Sequence, residues 1–248
     1  MSHSVLITGA TDGIGLALAQ RYAAQGARLV LVGRRPRAEL DPALFAESTY
    51  CQSDLSLPTC AAIVAAFLAD QQIDRLDRVI HNAGIGFYGP VARQSADSIR
   101  DLIAVNLRAP IALTHTLLPQ LTRAHGQLVF ISSVAANLPA PDYAVYGATK
   151  AALDSFAYNL RIEQQGAIMV QIIHPGATRT AMHAKSGAPI RRMNVQHFPA
   201  PAHVAAQIAH AIEAGKQEAT IGAANRLARF AGQRFGGVVD WVVGRVTR

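Results

Sequence analysis

Tyr146 and Lys150 stand four residues apart in "VYGATKAAL" (145–153), and they are the only bulky polar groups in that stretch. Residues at i and i+4 of a helix share a face, so the spacing brings a phenol beside an ammonium. That pair suits proton transfer. A free phenol titrates near 10, too high for acid–base work at neutral pH. A cation about 4 Å away, at an effective dielectric of about 20, would favour phenolate by ~4 kcal/mol. Burial acts in the opposite direction and makes that figure an upper bound. The competing reading is an amphipathic helix with an incidental lysine.

A second constellation lies in "LITGATDGIGLALAQ" (6–20), where a strand pattern passes through glycines directly into a helix pattern. Gly9 permits a sharp turn, while Gly13 and Gly15 let a ligand and the helix come close to the backbone. Free N–H groups at the helix start then attract a pyrophosphate. The spacing is GxxxGxG, and a tight strand–helix turn without a ligand is the alternative. The next strand ends in "LVGRR". An acid near this point would bind a ribose hydroxyl and favour NAD. Gly33 brings no carboxylate and leaves room, while Arg34 and Arg35 are able to meet a 2′-phosphate. Charge-assisted hydrogen bonds of about 1.5–3 kcal/mol make NADPH/NADP+ the expected cofactor over NADH. Solvated arginines at a strand end are the bland alternative. Asp12, in the first turn, does nothing for a second phosphate. Asp54, in "CQSDLS", is placed to accept from an adenine amino group.

The elements that must position these residues alternate along the 248-residue chain. Apolar runs at 4–8, 27–33, 48–52, 77–82, 126–132 and 167–174 read as buried strands. Helix-length segments at 14–25, 58–70, 96–122 and 143–165 separate them. Such repetition predicts an α/β fold with a parallel sheet covered by helices on both faces, in one domain spanning 1–248. Residues 176 to about 201 read as irregular, followed by a helix over 202–214 and a strand over 219–222.

Composition narrows the function classes. Half the residues are hydrophobic and the formal net charge is +7, with much of the arginine in the final stretch. No uncharged apolar run approaches the roughly 18 residues of a membrane span. Cys51 and Cys60 lack CxxC spacing, the nine histidines lack HExxH, and no basic segment precedes the first apolar residues. A cytoplasmic protein without a metal or secretory signal is therefore expected. No nucleic-acid motif accompanies the positive charge. Asp74 and Asp77, around Arg75 and Arg78, read as a solvated turn.

With these features on one chain, the sequence resembles the short-chain dehydrogenase/reductase family, in its branch of roughly 250 residues. The resemblance covers residues 4 to about 222. It rests on "TGATDGIG" (8–15), "HNAG" (81–84), "VNL" (105–107), "ISS" (131–133), "YGATK" (146–150) and "HPGATRT" (174–180), in family order. It implies a Rossmann-type sheet of about seven strands and nicotinamide-dependent carbonyl or alcohol chemistry. It also implies a catalytic tetrad of Asn106, Ser133, Tyr146 and Lys150. Ser133, thirteen before the tyrosine, is the match rather than Ser132. In that set Tyr146 is the general acid, tuned by Lys150, which also holds the nicotinamide ribose. Ser133 binds the substrate oxygen, and Asn106 positions a water. The implied cofactor-binding set adds Thr11 and Ile14, Leu55 beside Asp54, the Asn82–Ala83–Gly84 backbone, Pro175, Gly176, Thr178 and Thr180. His81 replaces the usual first asparagine of "NNAG" and is expected to support its strand.

Residues 181–200 are expected to form a substrate lid, with Met182, Ile190, Met193 and Phe198 lining an apolar pocket and Arg191 or Arg192 near an acidic group. The basic segment 224–248 places Leu227, Phe230, Phe235, Val238, Trp241, Val242 and Val246 at approximate helical spacing, weakened by Gly232, Gly236 and Gly237. It reads as packing on the domain, as an oligomer contact, or as weak peripheral membrane contact. Ala148, Ala151 and Ala152 suit close helix packing, and the resemblance implies a homodimer or homotetramer. The leading expectation is an NADPH-dependent carbonyl reductase, reversible as an alcohol dehydrogenase, acting on a small carbonyl or alcohol. Against it stand a catalytically idle NADP(H)-binding regulator or membrane-associated scaffold and, among enzymes, an epimerase or dehydratase.

Overall fold

The computed structural model describes residues 3–190 and 193–234, together with Gly237 and Arg245. Seven strands form one sheet: β1 (Ser4–Thr8), β2 (Arg28–Gly33), β3 (Tyr50–Gln52), β4 (Arg78–His81), β5 (Gln127–Ile131), β6 (Met169–His174) and β7 (Glu218–Thr220). They lie in the order β3-β2-β1-β4-β5-β6-β7, and every pairing is parallel. A strand covered on both faces needs apolar side chains in both directions, which is why "SVLIT" is buried at every position.

Helices α1 (Gly13–Ala24) and α7 (Pro201–Glu213) cover one face. Leu18, Tyr22, Val204 and Ile208 pack there on Ile7, Leu31 and Ile173. Helices α2 (Cys60–Asp70), α4 (Ala109–Ala124) and α5 (Ala144–Glu163) cover the other, where Val64, Leu113, Leu117 and Leu153 meet Leu6, Val79 and Phe130. Successive connections leave β1 in opposite directions, toward β2 and later toward β4. The carboxyl ends of β1 and β4 thereby open a crevice, the position where ligands enter such sheets.

The long helix expected over 96–122 is interrupted. α3 (Ala96–Ile103) passes into a π-helical turn, Ala104–Arg108, before α4 begins. The composite Ala96–Ala124 is long and apolar enough to cross a membrane, by length and composition. Leu102, Leu113, Leu117 and Leu121 are nevertheless buried in the core. The stretch expected to be irregular contains a short α6 (Ala181–Lys185), and α8 (Ala223–Arg234) follows β7.

The 74–78 turn is more than a solvated charge cluster. Asp77 accepts from the Ser4 amide at 2.8 Å and the Ser4 hydroxyl at 3.0 Å, joining the start of β1 to that of β4. Arg78 donates to Gln127 and to the Tyr22 hydroxyl. Cys51 and Cys60 are buried, and burial pushes the Cys51 thiol up to about 11, leaving it unreactive at neutral pH.

Candidate active site

A cleft of about 900 Å³ runs along the carboxyl ends of the central strands. The glycine turn forms one end. Gly9 and Gly13 have φ of +67° and +55°, a region that L side chains rarely enter. A Cβ on Gly9 would lie 2.8 Å from the Ala83 backbone. Asp12 caps α1, its carboxylate accepting from the Gly13 amide at 2.7 Å and from Lys185 Nζ at 2.8 Å. Thr11, Gly13 and Ile14 line the cleft beside Gly9. Gly15 does not. It faces inward, where any side chain would collide with the Gly9 carbonyl and the Asn82 amide. Its service is close packing of the helix start against the turn.

At the end of β2, Arg34 reaches the cleft and Arg35 turns away. Arg35 pairs with Glu39 at 3.7 Å and donates to the Glu39 carbonyl, turning its side chain toward Glu39 rather than into the cleft with Arg34. The room expected beside Gly33 is also taken. A Cβ there would meet the Thr11 methyl at 2.7 Å and the Tyr50 hydroxyl at 3.1 Å. Asp54 and Leu55 line the same end, with one Asp54 oxygen engaged by the Ser56 amide and hydroxyl. Asn82 ties β4 to β1, donating to the Thr8 carbonyl at 3.0 Å, and Ala83 and Gly84 continue the wall. Buried His81 bonds Thr114 through Nε2 at 3.1 Å and stacks on Phe130. Burial lowers its pKa to about 3, so it is neutral and supports the strand.

Ser133, Tyr146 and Lys150 meet at the middle of the cleft. Gly147 explains the small residues around Tyr146: a Cβ there would come 3.0 Å from the Ala135 carbonyl, so α5 lies hard against the serine loop. Ser133 Oγ accepts from the Ala135 amide at 3.1 Å, and its hydroxyl also hydrogen-bonds the Tyr146 phenol. Ser132 lines the cleft as well, with its buried hydroxyl unpartnered among the described residues.

The electrostatics differ from the sequence expectation. Lys150 Nζ donates to the Ile131 carbonyl at 2.9 Å and stands 5.9 Å from the Tyr146 ring centre. Burial raises the Tyr146 phenol above its ordinary value; the Ser133 hydroxyl pulls it down and Tyr143 adds to the rise. Burial also lowers Lys150 to about 8, against the attraction of Asp154. Burial is the largest influence on both groups.

Asn106 sits in the π turn, which rotates it inward. Its amide pairs with both backbone groups of Ile85 at 2.9 Å and donates to Thr149 at 3.1 Å. The side chain thus anchors the 84–86 loop, whose Gly84 it flanks together with Lys150. Pro175, Gly176, Thr178 and Thr180 line the cleft after β6. The Thr178 hydroxyl donates to the Gly176 carbonyl at 3.1 Å, so that side chain braces its own loop, and the Thr180 methyl abuts Gly13.

At the open end, Met182 and Met193 contribute to the wall as expected, joined by Tyr143, His183 and Lys185. Ile190 is exposed, and Phe198 packs on His183 at 5.5 Å instead of facing the cleft. Tyr143 stands edge-on to both Tyr88 and Tyr146, at 5.3 and 6.0 Å. Only its place three residues before Tyr146 hinted at this. Arg191 and Arg192 lie outside the described residues.

The C-terminal helix docks in an unexpected way. Leu227 and Phe230 are 71% and 63% exposed, while Arg229 is 8% exposed. Arg229 pairs with Glu218 and donates to Asn137 Oδ1 at 2.8 Å. Gly232 lies against Leu138, and Asn225 against Gly176. The polar face of α8 therefore points inward, onto the two loops that carry Ser133 and Gly176. Phe235, Gly236, Val238, Trp241, Val242 and Val246 lie outside the described residues.

Comparison with known proteins agrees with this geometry. The chain is 37% identical over 191 residues to the uncharacterized oxidoreductase YciK of Escherichia coli (strain K12), covering 73% of this chain and 76% of that one. It is 37% identical over 187 residues to dehydrogenase/reductase SDR family member 7B of Mus musculus, of whose length it spans only 58%. A short-chain dehydrogenase from Sphingobium yanoikuyae, solved in complex with NADPH, superposes with a TM-score of 0.81 at 29% identity over 96% of this chain and 95% of that one. The family model for short chain dehydrogenase matches residues 3–190. With the glycine turn, the parallel sheet and the Ser133–Tyr146–Lys150 cluster in place, the chain belongs to the short-chain dehydrogenase/reductase family of oxidoreductases.

Proposed function

We propose that this chain is an NADP(H)-dependent dehydrogenase/reductase that interconverts a carbonyl and an alcohol, with Tyr146 as general acid and base. The observation that carries the reading is the convergence of Ser133, Tyr146 and Lys150 in one cleft with the glycine turn. The cradle suits a dinucleotide: the backbone at Gly9 and Gly13 is bare, α1 begins beside it, and Arg34 alone supplies a cation at the end of β2. With no carboxylate at position 33, a 2′-phosphate meets attraction from Arg34 and no opposing charge there.

Bound there, the nicotinamide supplies or takes up the hydride. The chain's own residues manage the proton and the oxygen. The Ser133 hydroxyl, beside the Tyr146 phenol, donates to the substrate oxygen and stabilises its developing negative charge. Tyr146, held above its ordinary pKa by burial, is protonated at neutral pH, the form needed to give a proton to that oxygen. Lys150, brought to about 8, keeps most of its positive charge at neutral pH and lies beneath the phenol. Reduction is favoured near neutral pH, and oxidation, which needs the phenolate, at alkaline pH. Met182 and Met193 act within a lid over 181–200 that closes the apolar end around a small carbonyl substrate. The chain works as a homodimer or homotetramer, for which exposed Ile111, Tyr158 and Ile162 on α4 and α5 offer apolar surface.

Screening ketones and aldehydes for NADPH oxidation, with the parent chain and Tyr146→Phe side by side, tests the reading. The variant should bind NADPH and lose turnover by at least about a hundredfold. Near-normal rates in the variant would remove Tyr146 as the acid. NADPH binding without turnover across the panel would favour a regulatory role.

A further inference from the structure

One helical turn past Lys150, α5 carries Asp154, whose side chain is withdrawn from solvent with His174 of β6; the two residues are 2% and 0% exposed. His174 Nε2 lies 2.8 Å from Asp154 Oδ2. An ionised carboxylate only accepts, so Nε2 holds the proton and donates. The other Asp154 oxygen is buried and has no hydrogen-bond partner among the described residues. The ring's second nitrogen faces Glu218 of β7 at 3.9 Å. Glu218 in turn accepts from Tyr158 of α5 at 3.1 Å and pairs with Arg229 of α8. The groups around Lys150 itself are Tyr146 and Asp154 on its own helix, the Ile131 carbonyl of β5, and Asn106, whose Oδ1 flanks Gly84 with it. Asp154 is the only carboxylate among them.

A lysine in such a place tends to lose its proton, because the buried ammonium gives up its hydration. One buried carboxylate a turn away opposes that loss, and a donor fixed upon it holds its charge in place. We propose that Asp154 and His174 are positioning residues for Lys150: the carboxylate, oriented by its hydrogen bond with the imidazole, holds the ammonium charged beside Tyr146. This rests on the reading of Tyr146 and Lys150 as acid–base machinery. Neither residue touches the cleft, so both act only through Lys150.

The chain contains three lysines, Lys150, Lys185 and Lys216, so lysine-labelled full-length protein gives a directly assignable NMR titration of Lys150, with no dinucleotide present. In the parent, Lys150 should titrate at about 8. In Asp154→Asn it should titrate about one pH unit lower. Should that variant fail to fold, Asp154→Ser removes the same charge and is read in the same way. His174→Gln, which keeps a donor near the Nε2 position, should stay near the parent value, while His174→Leu should move toward the Asp154 variants. In turnover, the alkaline limb of kcat/KM should shift downward with the lysine in Asp154→Asn and remain in His174→Gln. A Lys150 titration unchanged within about 0.2 units in the folded Asp154 variants would overturn the proposal. So would a His174→Leu titration indistinguishable from the parent. If the parent itself shows no dinucleotide-dependent turnover, the functional reading fails, and the lysine titration still decides the role of Asp154.

Discussion

Gly15 approaches Gly9 so closely that a Cβ on Gly15 would stand 2.2 Å from the Gly9 carbonyl oxygen and 2.4 Å from the Asn82 side-chain amide. These neighbours are held in turn: Gly9 by its N–H donating to the Val32 carbonyl, and Asn82 by its side-chain amide donating to the Thr8 carbonyl. Neither can give way cheaply. Gly15→Ala should therefore cost about 1–3 kcal/mol of stability through overpacking. Urea unfolding with an unchanged midpoint would contradict that account.

Arg34 stands at the cleft while Arg35 is engaged with Glu39, so coenzyme preference should respond to the first arginine alone. Arg34→Asp should lower the NADPH-to-NADH ratio of kcat/KM by about tenfold or more, the size of one charge-assisted contact. Arg35→Ala should leave the ratio within about twofold. Steady-state kinetics with both coenzymes checks the pair.

His81 is folded in its neutral form, with its pKa lowered to about 3 by burial. Below about 6.5 the unfolded chain takes up a proton that the folded chain refuses, so this residue lowers stability progressively as pH falls from about 6.5 toward 3. Between pH 6.5 and 5 the loss is about 2 kcal/mol. His81→Gln, able to meet Thr114 without titrating, should reduce the acid slope by that amount. Denaturant midpoints at the two pH values measure it.

Two arginine and lysine contacts should behave differently. Lys185 and Asp12 are 64% and 48% exposed at their side chains, and Lys185→Ala should change unfolding free energy by less than about 0.5 kcal/mol. Arg229 is nearly buried and holds Glu218 and Asn137 together, so Arg229→Met should cost about 1–2 kcal/mol. It should also open α8 to proteolysis before the rest of the chain unfolds. Equal effects from the two substitutions would contradict the burial argument.

The sheet was legible because buried parallel strands write themselves as short apolar runs, and the glycine turn because its spacing sits between a strand and a helix. What escaped depends on angles that sequence spacing does not carry. Nothing in "DLIAVNLRAP" announces that the helix widens into a π turn at Asn106, although that turn is what aims the amide at Ile85. The Tyr146–Lys150 spacing puts both residues on the cleft, yet an i,i+4 relation leaves the Nζ position free, and a backbone carbonyl took it. In α8 the sequence left the apolar residues open to the domain, a partner subunit or a membrane, and Leu227 and Phe230 turn out not to pack on the domain. Arg229 turns inward instead, where the Glu218 carboxylate and the Asn137 side-chain oxygen meet it, a pairing that spacing along the chain does not reveal.

The Thr11 methyl beside Gly33 carries a lesson for redesign. Acidic residues at the tip of the second strand are an obvious graft for anyone wishing to retarget a dinucleotide enzyme, but here that tip is already occupied from across the turn. A side chain introduced at 33 would push the phosphate loop out of shape before it could discriminate between coenzymes. The neighbouring position, where Arg34 projects into open space, is the door through which such an exchange can enter in a single step.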